Sequence, residues 1–194
     1  MDDTFDGLLT ERLVLRRFTP ADAAAFAAYR SEPDIARYQS WEAPYPLERA
    51  EAFIGWLAAH HPDEPGAWYQ LAIAERSAPD ILVGDCGFRS RVEDPAYVDV
   101  GFTLSPPAQG RGFATEAIGE LIRYLFEDRV KHKVCADCDT RNVGSWGLLE
   151  RLGFQREGTL RESYREGPHW ADEYLYGMLD RDWRGRRGDL AGVR

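Results

Sequence analysis

Nothing in the 194 residues approaches the run of about 20 apolar residues that a membrane-spanning helix needs. The first residues, Met1-Asp2-Asp3-Thr4-Phe5-Asp6-Gly7, lack the basic patch and apolar segment of a secretion signal. A cytoplasmic protein is therefore expected, with no membrane partner. Cysteine is scarce, with only Cys86, Cys135 and Cys138. The last two spell CxxC, but they fall in a strand-like run at 133–139, where positions three apart face opposite sides. One such pair without a second makes a poor zinc site, so reduced core cysteines and no metal are expected. His60, His61, His132 and His169 are scattered, without metal-ligand spacing beside carboxylates. Positive charge is in deficit: 24 Lys and Arg against 33 Asp and Glu, a net charge of −9. That balance argues against nucleic acid as a partner and leans toward a cationic small substrate. No internal repeat or linker divides the chain. A single domain over 1–183 is expected, with the Gly- and Arg-rich 184–194 as a frayed tail.

What is present suffices for a packed core. A chain of this length buries roughly 70% of its unfolded surface, and its apolar content of 44% is ordinary. Apolar alternation predicts a first strand over 10–18, with Leu13 and Leu15 on one face. Thr19-Pro20-Ala21-Asp22 then reads as a helix cap, with helices over 21–30 and 47–60 on either side of an aromatic loop at 39–46. Strands follow at 69–75 and 81–89, joined across 77–80, and at 97–104. A helix over 112–128 carries Ala117, Ile118, Leu121, Ile122 and Leu125 on one stripe. A strand at 132–139, a helix at 145–152 ended by Gly153, and strands at 154–157 and 173–179 complete the order.

The informative stretch is 97–117, YVDVGFTLSPPAQGRGFATEA. It reads as a strand, a Pro106-Pro107 stop, a glycine-rich turn and a helix start. Free backbone N–H groups and the positive end of the helix dipole would meet there, which suits a phosphate. It is no P-loop, because no GK[ST] follows the glycines. Gly110 and Gly112 give GxG, but the next small residue is Ala114, out of step with a dinucleotide fingerprint.

The turn does resemble the pyrophosphate loop of the GNAT N-acetyltransferases, [QR]xxGx[GA], carried here by Gln109, Gly112 and Ala114. The resemblance extends to TERLVLRRFTPAD at 10–22 and NVGSWGLLERLGF at 142–154, and is closest to the RimJ/RimL-like branch. It implies the GNAT α/β (α+β) fold: a mixed, mostly antiparallel seven-stranded sheet with about four helices, splayed between its fourth and fifth strands. It implies acetyl-CoA as co-substrate, held by Phe102, Thr103 and Leu104 along the pantetheine arm. Gln109, Gly110, Arg111, Gly112, Phe113, Ala114 and Thr115 would lie about the pyrophosphate, Asn142 would hydrogen-bond the pantetheine, and Ser145 would lie near the leaving thiolate. It further implies acetyl transfer to a primary amine, a protein N-terminus or a small molecule, through a ternary complex, and allows a homodimer.

The reaction then sets requirements. A protein N-terminus, with a pKa near 8, is roughly one-tenth neutral at pH 7, whereas a lysine is neutral in about one molecule in a few thousand. The need for a base depends on the acceptor. Asp99 stands where many relatives carry an acidic residue and is the candidate base, with Asp85, Glu42 and Asp172 as rivals. The backbone amide of Leu104 or Thr103 would stabilise the oxyanion. Many relatives protonate the leaving thiolate with a tyrosine whose place is taken here by Leu149; Ser145 is the candidate substitute, or else a helix cap. Arg111 reads as a phosphate contact or a solvated side chain, and Glu116 as a brace for the helix start. Trp41, Tyr45, Trp68 and Trp170 line the acceptor pocket or pack. A catalytically silent acyl-CoA-binding module and a nucleotide binder remain alternatives.

Overall fold

The computed structural model of the chain describes residues 5, 7–62 and 64–191. Thr10 turns the chain where one strand was expected: its N–H donates to the Leu13 carbonyl (2.9 Å) and its Oγ1 accepts from the Leu13 N–H (2.8 Å). The strand expected over 10–18 is therefore shortened to β2 (Leu13–Arg16), and an additional β1 (Leu8–Leu9) before the turn pairs antiparallel with it. This adds a strand, and the sheet has eight rather than seven.

Asp22 accepts from the Thr19 N–H and, bidentately, from Arg16, which fixes the entry to α1 (Ala23–Arg30). A short α2 (Pro33–Ala36) and α3 (Leu47–Ala59) follow, and α1 packs on α3. Next come β3 (Tyr69–Glu75), β4 (Ala78–Ser90) and β5 (Tyr97–Leu104). The predicted turn at 77–80 is tighter than expected. Residues 78–80 belong to β4, whose register shifts near Ala74 absorb Pro79, a residue without a ladder donor.

Helix α4 (Phe113–Arg123) runs into one π-helical turn at Tyr124–Asp128. Strand β6 (Lys133–Asp139), α5 (Val143–Leu152), β7 (Gln155–Glu166), β8 (His169–Leu179) and α6 (Asp180–Ala191) complete the fold. The residues expected to fray are helical as far as Ala191; 192–194 lie outside the described residues. β7 and β8 form a hairpin much longer than the two short strands expected. Residues 158–172 carry few apolar side chains, so the ladder rather than burial holds them extended.

The sheet order is β1-β2-β3-β4-β5-β6-β8-β7, and only β5 and β6 run parallel. Strand alternation assigns its two faces. Asp85 of β4 meets Tyr29 and Arg30 of α1, while Phe88, three residues on, meets Tyr124 just after α4. Helices α1 and α4 thus cover opposite faces. The α4 stripe of Phe113, Ala117, Ile118, Leu121 and Ile122 is almost wholly buried, which anchors the loop before it.

Candidate active site

β5 and β6 pair only through Tyr97–Lys133, Val98–Val134 and Asp99–Cys135. Beyond Asp99 the two strands part. β5 stays paired with β4, and β6 with β8 along its whole length, so the gap is held open from both sides.

At the far end of β5 the chain makes a 3₁₀ turn at Pro106–Ala108 and enters α4 through Gly110 and Gly112, both left-handed (φ +72° and +80°). Among the described residues, no amide from 110 to 115 donates to a backbone or side-chain acceptor in the protein. These N–H groups fan across the head of α4, where the helix dipole favours an anion. The expected cradle loses one member: the Gln109 N–H bonds the Pro106 carbonyl, closing the 3₁₀ turn. Gln109 acts instead through its side chain, whose Nε2 donates to the Leu104 carbonyl (3.1 Å) and ties the loop to the strand end.

Arg111 faces away from the cradle. It forms a bidentate pair with Glu75 (2.7 and 3.0 Å) and stacks on Phe113, while its carbonyl accepts from Arg12. Glu116 braces the helix start, accepting from Thr10 Oγ1, the Arg12 N–H and Arg12 Nε.

Two clefts meet at the splay. One, of about 580 Å³, runs from the glycine loop along Phe102, Thr103 and Leu104 to the head of α5. The other, of about 1020 Å³, opens on the α1 face between the 33–43 segment, β5, β6 and the β7–β8 hairpin. Tyr38, Gln39, Phe102, Asn142 and Ser145 line both. Asn142 caps α5, its Oδ1 accepting from the Ser145 N–H (3.2 Å). Ser145 is therefore capped rather than capping, and its hydroxyl lies against the Cys138 thiol. Leu149 is fully buried at the cleft wall.

The candidate carboxylates separate by their partners. Asp99 is 8% exposed and engaged on both oxygens: Arg89 Nη2 lies 3.0 Å from Oδ2, and Arg91 Nη2 2.7 Å from Oδ1. Asp99, the residue expected as base, thus stands between two guanidinium groups. Asp85 is sealed in the core between Tyr29 and Arg30, where burial pushes its carboxyl up against the opposing pull of Arg30. Asp172 braces the hairpin by accepting from the Glu162 N–H (2.8 Å). Asp139 is bound by Arg141 and by the Tyr164 hydroxyl; burial works to raise its carboxyl, but these donors outweigh it and hold it at about 2. Glu173 accepts from Ser163.

Sequence reasoning missed Asp137 and Tyr38. Asp137 lies on β6 in the splayed stretch and opens into the wide cleft. A signal was present: Asp137 and Asp139 sit two apart in KVCADCD, on one face of a strand otherwise buried. Tyr38 carried no comparable signal, because only the fold brings its segment to α5. Of the aromatics, Trp41 and Trp68 line the wide cleft, Tyr45 is core, and Trp170 is exposed on the hairpin.

Among the described residues, no cluster of three or more His, Cys, Asp or Glu could hold a metal, and no helix is long and apolar enough to cross a membrane.

Residues 12–155 match the family described as the acetyltransferase (GNAT) domain. The uncharacterized N-acetyltransferase YoaA of Bacillus subtilis is 32% identical over 176 residues, 90% of this chain and 97% of that protein. The [ribosomal protein uS5]-alanine N-acetyltransferase of Escherichia coli is 27% identical over 183 residues, 91% and 92% of the two chains. Among solved structures, a GNAT-family acetyltransferase from Bacillus anthracis aligns with a TM-score of 0.79 at 27% identity, over 90% of this chain and 99% of that one.

Proposed function

The chain belongs to the acetyltransferase (GNAT) family, and from that premise we propose how its own residues carry the reaction. The protein is an acetyl-CoA-dependent N-acetyltransferase that delivers acetyl to an amine. In our reading the amides of Gly110, Arg111, Gly112, Phe113, Ala114 and Thr115 take the pyrophosphate. The narrow cleft takes the pantetheine arm, which pairs with backbone groups of Phe102, Thr103 and Leu104 where β5 has left β6. Asn142 spends its Oδ1 on the α5 cap, so its Nδ2 is the group that faces the arm. The Arg111 side chain has no part in binding, since Glu75 holds it.

The amine enters by the wide cleft and attacks the thioester carbonyl directly where the clefts meet. The developing oxyanion is met by the amide of Leu104 or Thr103, a preorganised donor of a kind typically worth about 3 kcal/mol. Ser145 gives the leaving thiolate a hydrogen bond. No tyrosine stands at Leu149, and a thiol with a pKa near 8.5 is a good enough leaving group to manage without a strong acid.

The E. coli relative, named for an alanine of ribosomal protein uS5, supports a protein N-terminus as acceptor. The size of the wide cleft also admits a small amine. A homodimer through the β7–β8 hairpin, where Leu160 and Trp170 are exposed, belongs to the same reading; a monomeric mass in sedimentation equilibrium removes it.

The observation that carries the assignment is the row of unclaimed amides at the head of α4, opening onto the splay. The test is calorimetric titration with coenzyme A, followed by thiol release from acetyl-CoA with a panel of N-terminal peptides, amino acids and polyamines. Binding together with acceleration by one acceptor class is expected. No heat with coenzyme A would sink the reading.

A further inference from the structure

Four carboxylates share the α1 face around the splay. Asp99 on β5 sits opposite Cys135 of β6 in the ladder. Strand alternation then places Asp137 and Asp139 on that same face. Glu173 of β8 joins them, because it sits opposite Asp139. Three of the four are engaged: Asp99 by Arg89 and Arg91, Asp139 by Arg141 and Tyr164, and Glu173 by Ser163. Among the described residues, none donates a hydrogen bond to Asp137 or forms an ion pair with it. It is nevertheless no surface residue of the ordinary kind. It stands mid-strand between Ala136 and Cys138, both buried, and its own exposure is to the cleft in which the amine must sit.

We propose that Asp137 is the catalytic base, taking a proton from the acceptor ammonium in the wide cleft. This rests on the acetyltransferase reading above. The amine arrives as a cation, and the unpaired carboxylate both attracts it and has free lone pairs to accept its proton. The neutral nitrogen then bonds to the thioester carbon and the carbon–sulfur bond breaks with its electron pair on sulfur. The nitrogen sheds a second proton as the thiolate takes one up.

The setting favours this work. Burial pushes the Asp137 carboxyl above the ordinary carboxylate range; Glu173 and Asp99 push the same way, and Arg89 and Arg91 oppose them. A carboxylate raised toward neutrality is a stronger base than a paired one. Other charged or titratable groups facing the cleft are Cys138 and Asp139 on β6, Arg37 and Glu42 from the segment after α1, and Tyr164 and Arg165 from the hairpin. Trp68 lies over Gly101 and beneath Arg89, and keeps one wall of the cleft apolar.

The experiment compares wild type, Asp137→Asn, Asp137→Glu and Asp99→Asn with two nucleophiles: a short peptide with a free N-terminal alanine, and hydroxylamine, which is already neutral at pH 7. Asp137→Asn is expected to lower kcat/KM for the peptide at pH 7 by about tenfold, since only the neutral tenth of its amine can then react. Hydroxylamine turnover should change less than about threefold, since it needs no base. The acid limb of the pH–kcat/KM profile, where the base becomes protonated, should be replaced in Asp137→Asn by one at the amine's own pKa near 8. Asp137→Glu should restore part of the peptide rate. Asp99→Asn should keep the limb, and calorimetry should show coenzyme A binding unchanged in Asp137→Asn. Equal losses with both nucleophiles, or a peptide rate in Asp137→Asn like that of wild type, would overturn the proposal. If wild type binds coenzyme A but acetylates neither probe, the proposal falls while the cofactor site stands; if it does not bind coenzyme A, the underlying reading falls as well.

Discussion

Arg30 joins the core to the acceptor cleft. Its guanidinium pairs with Asp85 (3.2 Å) with both side chains almost wholly buried, and it lies over the rings of Phe26 (4.0 Å) and Trp41 (3.9 Å). Its carbonyl accepts from Trp41 Nε1 (3.1 Å), which seats the aromatic loop as a wall of the cleft. One nitrogen, Nε, has no partner, so the site is held by stacking as much as by hydrogen bonds. Arg30→Met should destabilise the protein by about 3–5 kcal/mol, because it leaves Asp85 buried without its counter-charge. The double variant with Asp85→Asn should recover a good part of that loss, since it removes the stranded charge. Urea unfolding of the two singles and the double measures both quantities, and additive losses would remove the coupling. Asp85, read from sequence as a rival base, thus has a structural partner and no path to the amine.

At the scale of the element, the unit that matters is β5, its 3₁₀ turn, the two left-handed glycines and α4. The buried stripe of α4 fixes the direction of the helix, and the side chains of Gln109 and Glu116 tie its head to β5 and to the β1–β2 turn. The cradle amides therefore do not have to order on binding, which spares the ligand an entropic cost. Gly112 is the weak point. A side chain there would take a left-handed conformation costing roughly 1–2 kcal/mol, and its Cβ would lie 3.3 Å from Arg12 Nη2. Gly112→Val should weaken coenzyme A binding at least about tenfold while leaving most of the fold intact. Calorimetry on the variant checks this, and unchanged affinity would mean that the amides do not set the binding energy.

Across the whole molecule, one continuous sheet links the two halves of the chain, so we expect residues 1–183 to unfold as one domain in a single calorimetric transition. Coenzyme A at 100 times its dissociation constant should stabilise that state by about 2.7 kcal/mol. ATP or NAD should do so far less; equal protection by all three would mean that the cradle reads phosphate alone. The loop, the strand before it and the helix after it were legible in order, because glycine, proline and a 3.6-residue apolar period act over a few neighbouring residues. The long β7–β8 hairpin was not, since residues 158–172 carry few apolar side chains and the ladder alone keeps them extended. The role of each carboxylate was likewise illegible. Asp99, Asp137 and Asp139 look alike in one dimension; Asp139 is paired by Arg141 two residues on, whereas the sheet brings Arg89 and Arg91 to Asp99. The order of residues by itself determined the fold family and the glycine loop between β5 and α4, because both leave their mark in local backbone chemistry. Only the tertiary structure decided that Asp99 is paired while Asp137 has no partner among the described residues, because Arg89 and Arg91 reach Asp99 across neighbouring strands and not along the chain.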